Sequence, residues 1–197
     1  MKQFITLDEA IEKLNAGALG VLPTDTVYGV VCRAQDQKAV TRLYELKHRE
    51  AKPGTVLAAS IDQLVTLGIP RRYLVVVAQY WPNPISVVVP APPSLAYLYQ
   101  GKGSLAVRIP KDRRLLALLE QTGALLTSSA NEPGEPTAET MQMAVDYFGG
   151  RVDFYVDGGS LSGHKPSTII RVVDDAIEVL REGAVKINEN GEVQNDI

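Results

Sequence analysis

Short apolar runs that alternate with capped, amphipathic stretches constrain this chain more than any other feature of its sequence. Residues 18–22, 56–59, 85–89, 104–109 and 124–127 have the length and apolar content of buried strands. Helix signals lie between them. Thr6-Leu7-Asp8-Glu9 is a capping box, followed by an apolar stripe of Ala10, Ile11 and Leu14 and a stop at Gly17. Asp36 opens a second helix, with Ala39, Val40, Leu43 and Leu46 on one face and Lys47-His48-Arg49 at its end. Ser60 to Gln63 reads as a second capping box, and residues 71–81 read as a helix despite the β-branched Val75, Val76 and Val77. Asp112 caps a helix that carries Leu115, Leu116, Leu118 and Leu119, and residues 137–148 are helical in pattern. Strands dominate the end, at residues 152–156, 168–173 and 177–181. This order predicts an α/β fold: one twisted sheet of mixed parallel and antiparallel strands, flanked by helices, with a concave ligand cleft. No repeat or linker divides the chain, so residues 1–184 are expected to form one domain. Residues 185–197 are expected to be a polar tail that frays or folds over the site.

Composition removes several chemistries. The chain has 197 residues, 45% hydrophobic and 22% charged, enough for the core of one ordinary domain. The densest apolar stretch, residues 74–78, is far short of the roughly 18 residues that span a bilayer. The amino terminus runs directly into a helix signal, and the lone Cys32 cannot form an internal disulfide. Both features lead to an expectation of a cytoplasmic protein without a signal peptide. One cysteine and two histidines, His48 and His164, cannot build a structural zinc site, so no protein-held metal is expected. There is no Gly-x-Ser-x-Gly elbow, and Gly101-Lys102-Gly103-Ser104 lacks the spacing of a phosphate loop. The net charge of -3 divides into +6 over residues 1–116 and -9 over residues 117–197. That asymmetry fits two solvated faces of opposite sign, the first able to collect anions.

Four loops hold small hydroxyl residues or cations after strand-like runs, where an α/β sheet places its site. The first is Pro23-Thr24-Asp25-Thr26-Val27-Tyr28-Gly29, and the second is Lys47-His48-Arg49 with Lys52 close behind. In the third, Ser104 to Arg108, strand alternation puts Ser104, Ala106 and Arg108 on one face and Leu105 and Val107 on the other. An arginine in such a strand needs an anionic partner, either an internal carboxylate or a ligand's carboxylate or phosphate. The fourth is Thr127-Ser128-Ser129-Ala130-Asn131, with Thr137 further on. Its hydroxyls and backbone N–H groups suit phosphate or a tight turn.

Taken in order, these segments resemble the YrdC-like family. Trp81-Pro82-Asn83-Pro84 is similar to that family's Trp-Pro-Gly-Pro run, residues 104–110 to its Val-Arg-x-Pro strand, and Ser167-Thr168 and Leu180-Arg181-Glu182-Gly183 to its closing motifs. The resemblance covers residues 7 to 184. It implies a threonylcarbamoyl-AMP synthase, which joins L-threonine, bicarbonate or carbon dioxide, and ATP, with release of pyrophosphate. A separate transferase complex then carries the threonylcarbamoyl group to tRNA. By motif, Thr26, Arg108, Thr127 and Ser167 would hold L-threonine. Lys47 and Arg49 would be the catalytic phosphate clamp, with Lys52 assisting. Ser104, Ser129, Asn131, Thr137 and Arg181 would contact ATP, which brings Mg²⁺ with it. The chain departs from the family pattern at Glu50, where proline is usual, and at Pro166, where glutamate is usual. A paralogue without synthase activity, and a module that binds tRNA or double-stranded RNA, are the alternatives. No membrane partner is implied.

Overall fold

Helix signals become helices where a capping side chain starts them. The computed structural model describes residues 4–48, 52–173, 176–188 and 190–194. Helix α1 (Leu7–Asn15) begins at the complete capping box of Thr6 and Glu9. Asp36 accepts from the N–H groups of Lys38 and Ala39 to start α2 (Gln37–Leu46). At α3 (Ile61–Leu67) half of the expected box forms. Ser60 accepts from the Gln63 N–H, but the Gln63 side chain turns to the Ala59 N–H at 2.8 Å. The helix expected over residues 71–81 breaks into α4 (Arg71–Val75) and a 3-10 turn at Ala78–Tyr80. Val75, Val76 and Val77 stiffen χ1 against the preceding turn, and no side chain caps α4. The chain continues with α5 (Ala96–Tyr99), α6 (Arg113–Thr122) capped by Asp112, and α7 (Met141–Phe148). The last starts four residues later than the pattern suggested, because the Thr140 hydroxyl, and not Thr137, caps it.

The strands are β1 (Phe4–Ile5), β2 (Gly20–Pro23), β3 (Tyr28–Arg33), β4 (Thr55–Leu57), β5 (Ile85–Pro90), β6 (Ser104–Arg108), β7 (Leu125–Ser129), β8 (Phe154–Val156), β9 (Thr168–Val173) and β10 (Ala176–Arg181). They form one ten-stranded sheet in the order β1-β8-β2-β3-β7-β4-β6-β5-β9-β10. Directions are mixed as expected: β4 runs parallel to β6, and β5 to β9, while β3, β7 and β4 are antiparallel neighbours. Register settles which side chains share a face. Val56 lies opposite Val107 and Leu126, all three in the larger core on one side of the sheet. On the other side Leu22, Val31, Leu57 and Leu125 pack with α1 and α6 residues Leu14, Leu115, Leu118 and Leu119 in a smaller core. Thr55, Ala106, Arg108 and Thr127 occupy that second face too, by register and alternation with those residues.

The described part of the tail is built into the fold. The Ala184 N–H donates to the Pro166 carbonyl, and Val185 and Thr168 are hydrogen-bonded both ways. Beyond them β11 (Lys186–Ile187) pairs antiparallel with β12 (Val193–Gln194), and the Tyr80 hydroxyl donates to the Gly191 carbonyl at 3.1 Å.

Candidate active site

The loop between β2 and β3 is shaped by its own hydroxyls. Thr24 Oγ1 donates to the Val27 carbonyl at 2.6 Å and accepts from the Thr26 N–H at 3.2 Å, with the Thr26 hydroxyl 3.0 Å away. That turn, the face-sharing residues of β4, β6 and β7, and the entry to β9 enclose a cavity of about 110 Å³. Thr26, Arg108, Thr127, Ser129, Ser167 and Arg181 line it. Its size suits a small metabolite and falls short of the ~300–1,000 Å³ of sites for drug-sized ligands. Two glycines make room for Thr127. A Cβ on Gly29 would stand 2.5 Å from the Thr127 hydroxyl, and one on Gly54 would stand 2.5 Å from its carbonyl. Both approaches are closer than a side chain permits.

Arg108 is 3% exposed, and an Asp25 carboxylate oxygen lies 3.0 Å from its Nη2. The question left open by the sequence is therefore answered by an internal carboxylate, although not completely. The Arg108 Nε and both Asp25 oxygens lack a well-aligned hydrogen bond among the described residues. Burial pulls the Arg108 pKa below its ordinary value, and the Asp25 charge opposes that shift. A buried guanidinium with an unused donor at a cavity wall is suited to a carboxylate ligand. Beside it, Ser167 is 3% exposed, and Arg181 donates to its carbonyl at 2.7 Å and to its hydroxyl at 3.0 Å.

A second, open cleft of about 1,090 Å³ is lined by Lys47, Lys52, Tyr97, Gln100 and Asn131 among others. Lys47 caps the end of α2 and is itself 3% exposed. Its Nζ donates to the Ser129 carbonyl and the Asn131 Oδ1, each at 3.0 Å, and to the Asn131 carbonyl. The Ser129 hydroxyl also donates to Asn131 Oδ1 at 2.7 Å. The two cavities share this wall, since Ser129 lines the small one and Asn131 the large one. Lys52 borders the cleft, its N–H donating to Gln100 Oε1 at 3.1 Å. Arg181, matched by motif to the nucleotide, instead borders the small cavity. Ser104, at the start of β6, and Thr137, in the loop before α7, line neither. Arg49 lies outside the described residues.

Sequence reading gave no role to Asp25 or Ser86. The signal for Asp25 was present, since Arg108 required an anion. Ser86 is a serine in an otherwise apolar strand, and its hydroxyl lies 2.9 Å from that of Ser167. Cys32 is fully buried, and burial raises its pKa well above the ordinary thiol range. Among the described residues no cluster of three His, Cys, Asp or Glu converges on a metal position, and no helix is long and apolar enough to cross a membrane.

Comparison with known proteins bears on this geometry. The Sua5/YciO/YrdC family model, described as "Telomere recombination", matches residues 12–183. A putative threonylcarbamoyl-AMP synthase of Mycobacterium leprae is 34% identical over 93% of this chain and 86% of its own length. The threonylcarbamoyl-AMP synthase of Pseudomonas syringae is 33% identical over 90% of this chain and 97% of its own length. The crystal structure of P. abyssi Sua5 complexed with L-threonine superposes with a TM-score of 0.80 at 29% identity, covering 91% of this chain and 54% of that one. This chain thus spans about half the length of the Pyrococcus protein. The E. coli YciO structure, at 24% identity and a TM-score of 0.79, shares the fold.

Proposed function

The chain belongs to the Sua5/YciO/YrdC family, and from that membership and the two adjoining cavities we infer that it is a threonylcarbamoyl-AMP synthase. It joins L-threonine, bicarbonate or carbon dioxide, and ATP into L-threonylcarbamoyladenylate and releases pyrophosphate. A buried arginine at the wall of a cavity sized for an amino acid, beside a lysine-lined cleft roomy enough for a nucleotide, carries this reading.

L-Threonine occupies the small cavity, its carboxylate on Arg108, with Thr26, the Thr127 backbone and Ser167 around it. The neutral amine captures carbon dioxide and releases one proton to water to give a carbamate. A carbamate oxygen attacks the α-phosphorus of ATP in the neighbouring cleft as the bond to pyrophosphate breaks. The carbamate is already anionic, so no cysteine or histidine is needed as nucleophile or base. The protein must align two anions and neutralise charge, and positioning with preorganised electrostatics supplies most of such a rate enhancement. The wall of Ser129, Asn131 and Lys47 stands where the two substrates meet. Lys52 and Arg49 add positive charge for the phosphates, and Arg181 reaches them from the side of Ser167. Ser104 and Thr137 act further out along the nucleotide. Magnesium, held chiefly by phosphate oxygens and water, offsets charge on the leaving group. The described residues offer no acidic cluster to hold that ion independently of ATP. The product passes to a transferase complex that modifies tRNA in the cytoplasm.

Pyrophosphate release from ATP and bicarbonate, with L-threonine, L-serine or buffer alone, tests the assignment. Release that requires both threonine and bicarbonate is expected. Nucleotide binding without threonine-dependent release would point to a paralogue acting on another amine.

A further inference from the structure

Ser86 lies in β5 and is fully buried, and among the described residues its hydroxyl has one hydrogen-bond partner, the Ser167 hydroxyl at 2.9 Å. Either oxygen could be the donor by distance alone. The surroundings decide between them. Had Ser167 donated to Ser86, the buried Ser86 proton would have no acceptor among the described residues, the costlier way to leave a buried polar group. Ser86 therefore donates and Ser167 accepts. Ser167 Oγ also accepts from Arg181 Nη2 at 3.0 Å. A serine hydroxyl has two acceptor positions and one proton. With both positions filled, the Ser167 proton is left over, and the cavity that Ser167 lines is the open direction for it.

We propose that Ser86 is a positioning residue that fixes Ser167 as a hydrogen-bond donor into the small cavity, so that Ser167 and Arg108 together receive a carboxylate. Ser86 is not among the residues that line the cavity, so it acts on the ligand through Ser167. This inference rests on the small cavity being the amino-acid subsite of the proposed synthase. Without Ser86, the Ser167 proton can rotate toward other acceptors, and the donor is no longer pre-aimed at the ligand.

The test is calorimetric titration of the full chain with L-threonine, with L-threoninol, which lacks the carboxylate, as comparison. The variants are Ser86→Ala, Ser86→Thr, Ser167→Ala and the double alanine, with pyrophosphate release measured on each. Ser86→Ala is expected to weaken L-threonine binding by about five- to tenfold, the worth of one oriented hydrogen bond to a charged group after partial compensation. The threonine KM should rise in step, with kcat and the ATP KM within twofold. Ser86→Thr retains the hydroxyl and should bind like the parent. In the Ser167→Ala background, adding Ser86→Ala should cost nothing further, because the group it aims is gone. Equal penalties in both backgrounds, or the same penalty against L-threoninol, would overturn the proposal in favour of a packing role. The proposal and the synthase reading can fail separately. Carboxylate binding that depends on Ser86, without pyrophosphate release, ends the synthase reading alone. Threonine-dependent release with additive penalties ends the role of Ser86 alone.

Discussion

The small cavity is walled largely by strands, whereas the large cleft is walled by the end of α2, the turn after β7 and the segment around α5. Arg108, Thr127 and Thr55 stand on one face of the sheet because ladder register puts them there, and Gly29 and Gly54 let neighbouring strands close to within van der Waals limits of Thr127. Lys47 reaches its place along a helix end and spends its protons on a turn. A site made by register tolerates almost no change in backbone, because any shift moves every side chain on that face. One made by helix ends and turns adapts more readily to its ligand. Selectivity for the small substrate should therefore reside in the sheet, and accommodation of the large one in the turns.

Arg108→Ala gives the sharpest test of that contrast. It should lower threonine-dependent turnover by at least about 100-fold, through loss of a charge-assisted contact. It should also destabilise the fold by roughly 3–5 kcal/mol, because Asp25 is left buried and uncompensated. Pairing Arg108→Gln with Asp25→Asn should restore most of the stability, read by denaturant midpoint, without restoring turnover. Recovery of both would remove Arg108 from substrate binding. Next in size is Gly54→Ala, whose Cβ would stand 2.5 Å from the Thr127 carbonyl. A destabilisation of roughly 1–3 kcal/mol is expected, with the threonine KM raised more than the ATP KM. A purely thermal effect, with both KM values unchanged, would show that the register of β4 and β7 does not shape the small cavity.

Lys47→Ala removes the shared wall's cation and should raise the ATP KM by about tenfold, with a smaller effect on threonine. If threonine suffers more, Lys47 serves the small cavity through Ser129 rather than the cleft. The smallest effect belongs to Lys52→Ala. Lys52 is exposed, so a change of about two- to threefold in ATP KM is expected, and it should fade as salt screens the phosphates. An effect insensitive to salt would move Lys52 from electrostatic attraction to direct contact.

Much of this was readable beforehand. The Thr6 box, the Asp36 and Asp112 caps and the alternation of residues 104–108 are local, so the side chains that decide them lie within a turn or a strand of one another. Local reading missed β3 (Tyr28–Arg33) and α5 (Ala96–Tyr99), which follow turn-rich segments, and it misplaced two helices for local reasons. A valine run sat inside a helical pattern at residues 75–77, and the helical pattern of residues 137–148 began before Thr140, the residue that caps α7. The pairings that make the site were of another kind. Ser86 meets Ser167 across 81 residues, and Lys47 meets Ser129 across 82.

Sequence by itself determined most of the helices and strands, the apolar and polar faces of the strands it located, the need of Arg108 for an anion, and the hydroxyl-rich turns that gather at one end of the sheet. The tertiary structure decided that the anion is Asp25, that Ser86 backs Ser167, and that Lys47 braces Asn131. It also decided that the described part of the tail pairs β11 with β12 and is held to Pro166 and Thr168. The division follows from what each level can carry. Periodicity and capping are set by neighbours along the chain, whereas these pairings exist because β5 lies between β6 and β9, and β7 between β3 and β4. That strand order depends on how the whole set of apolar faces is buried at once.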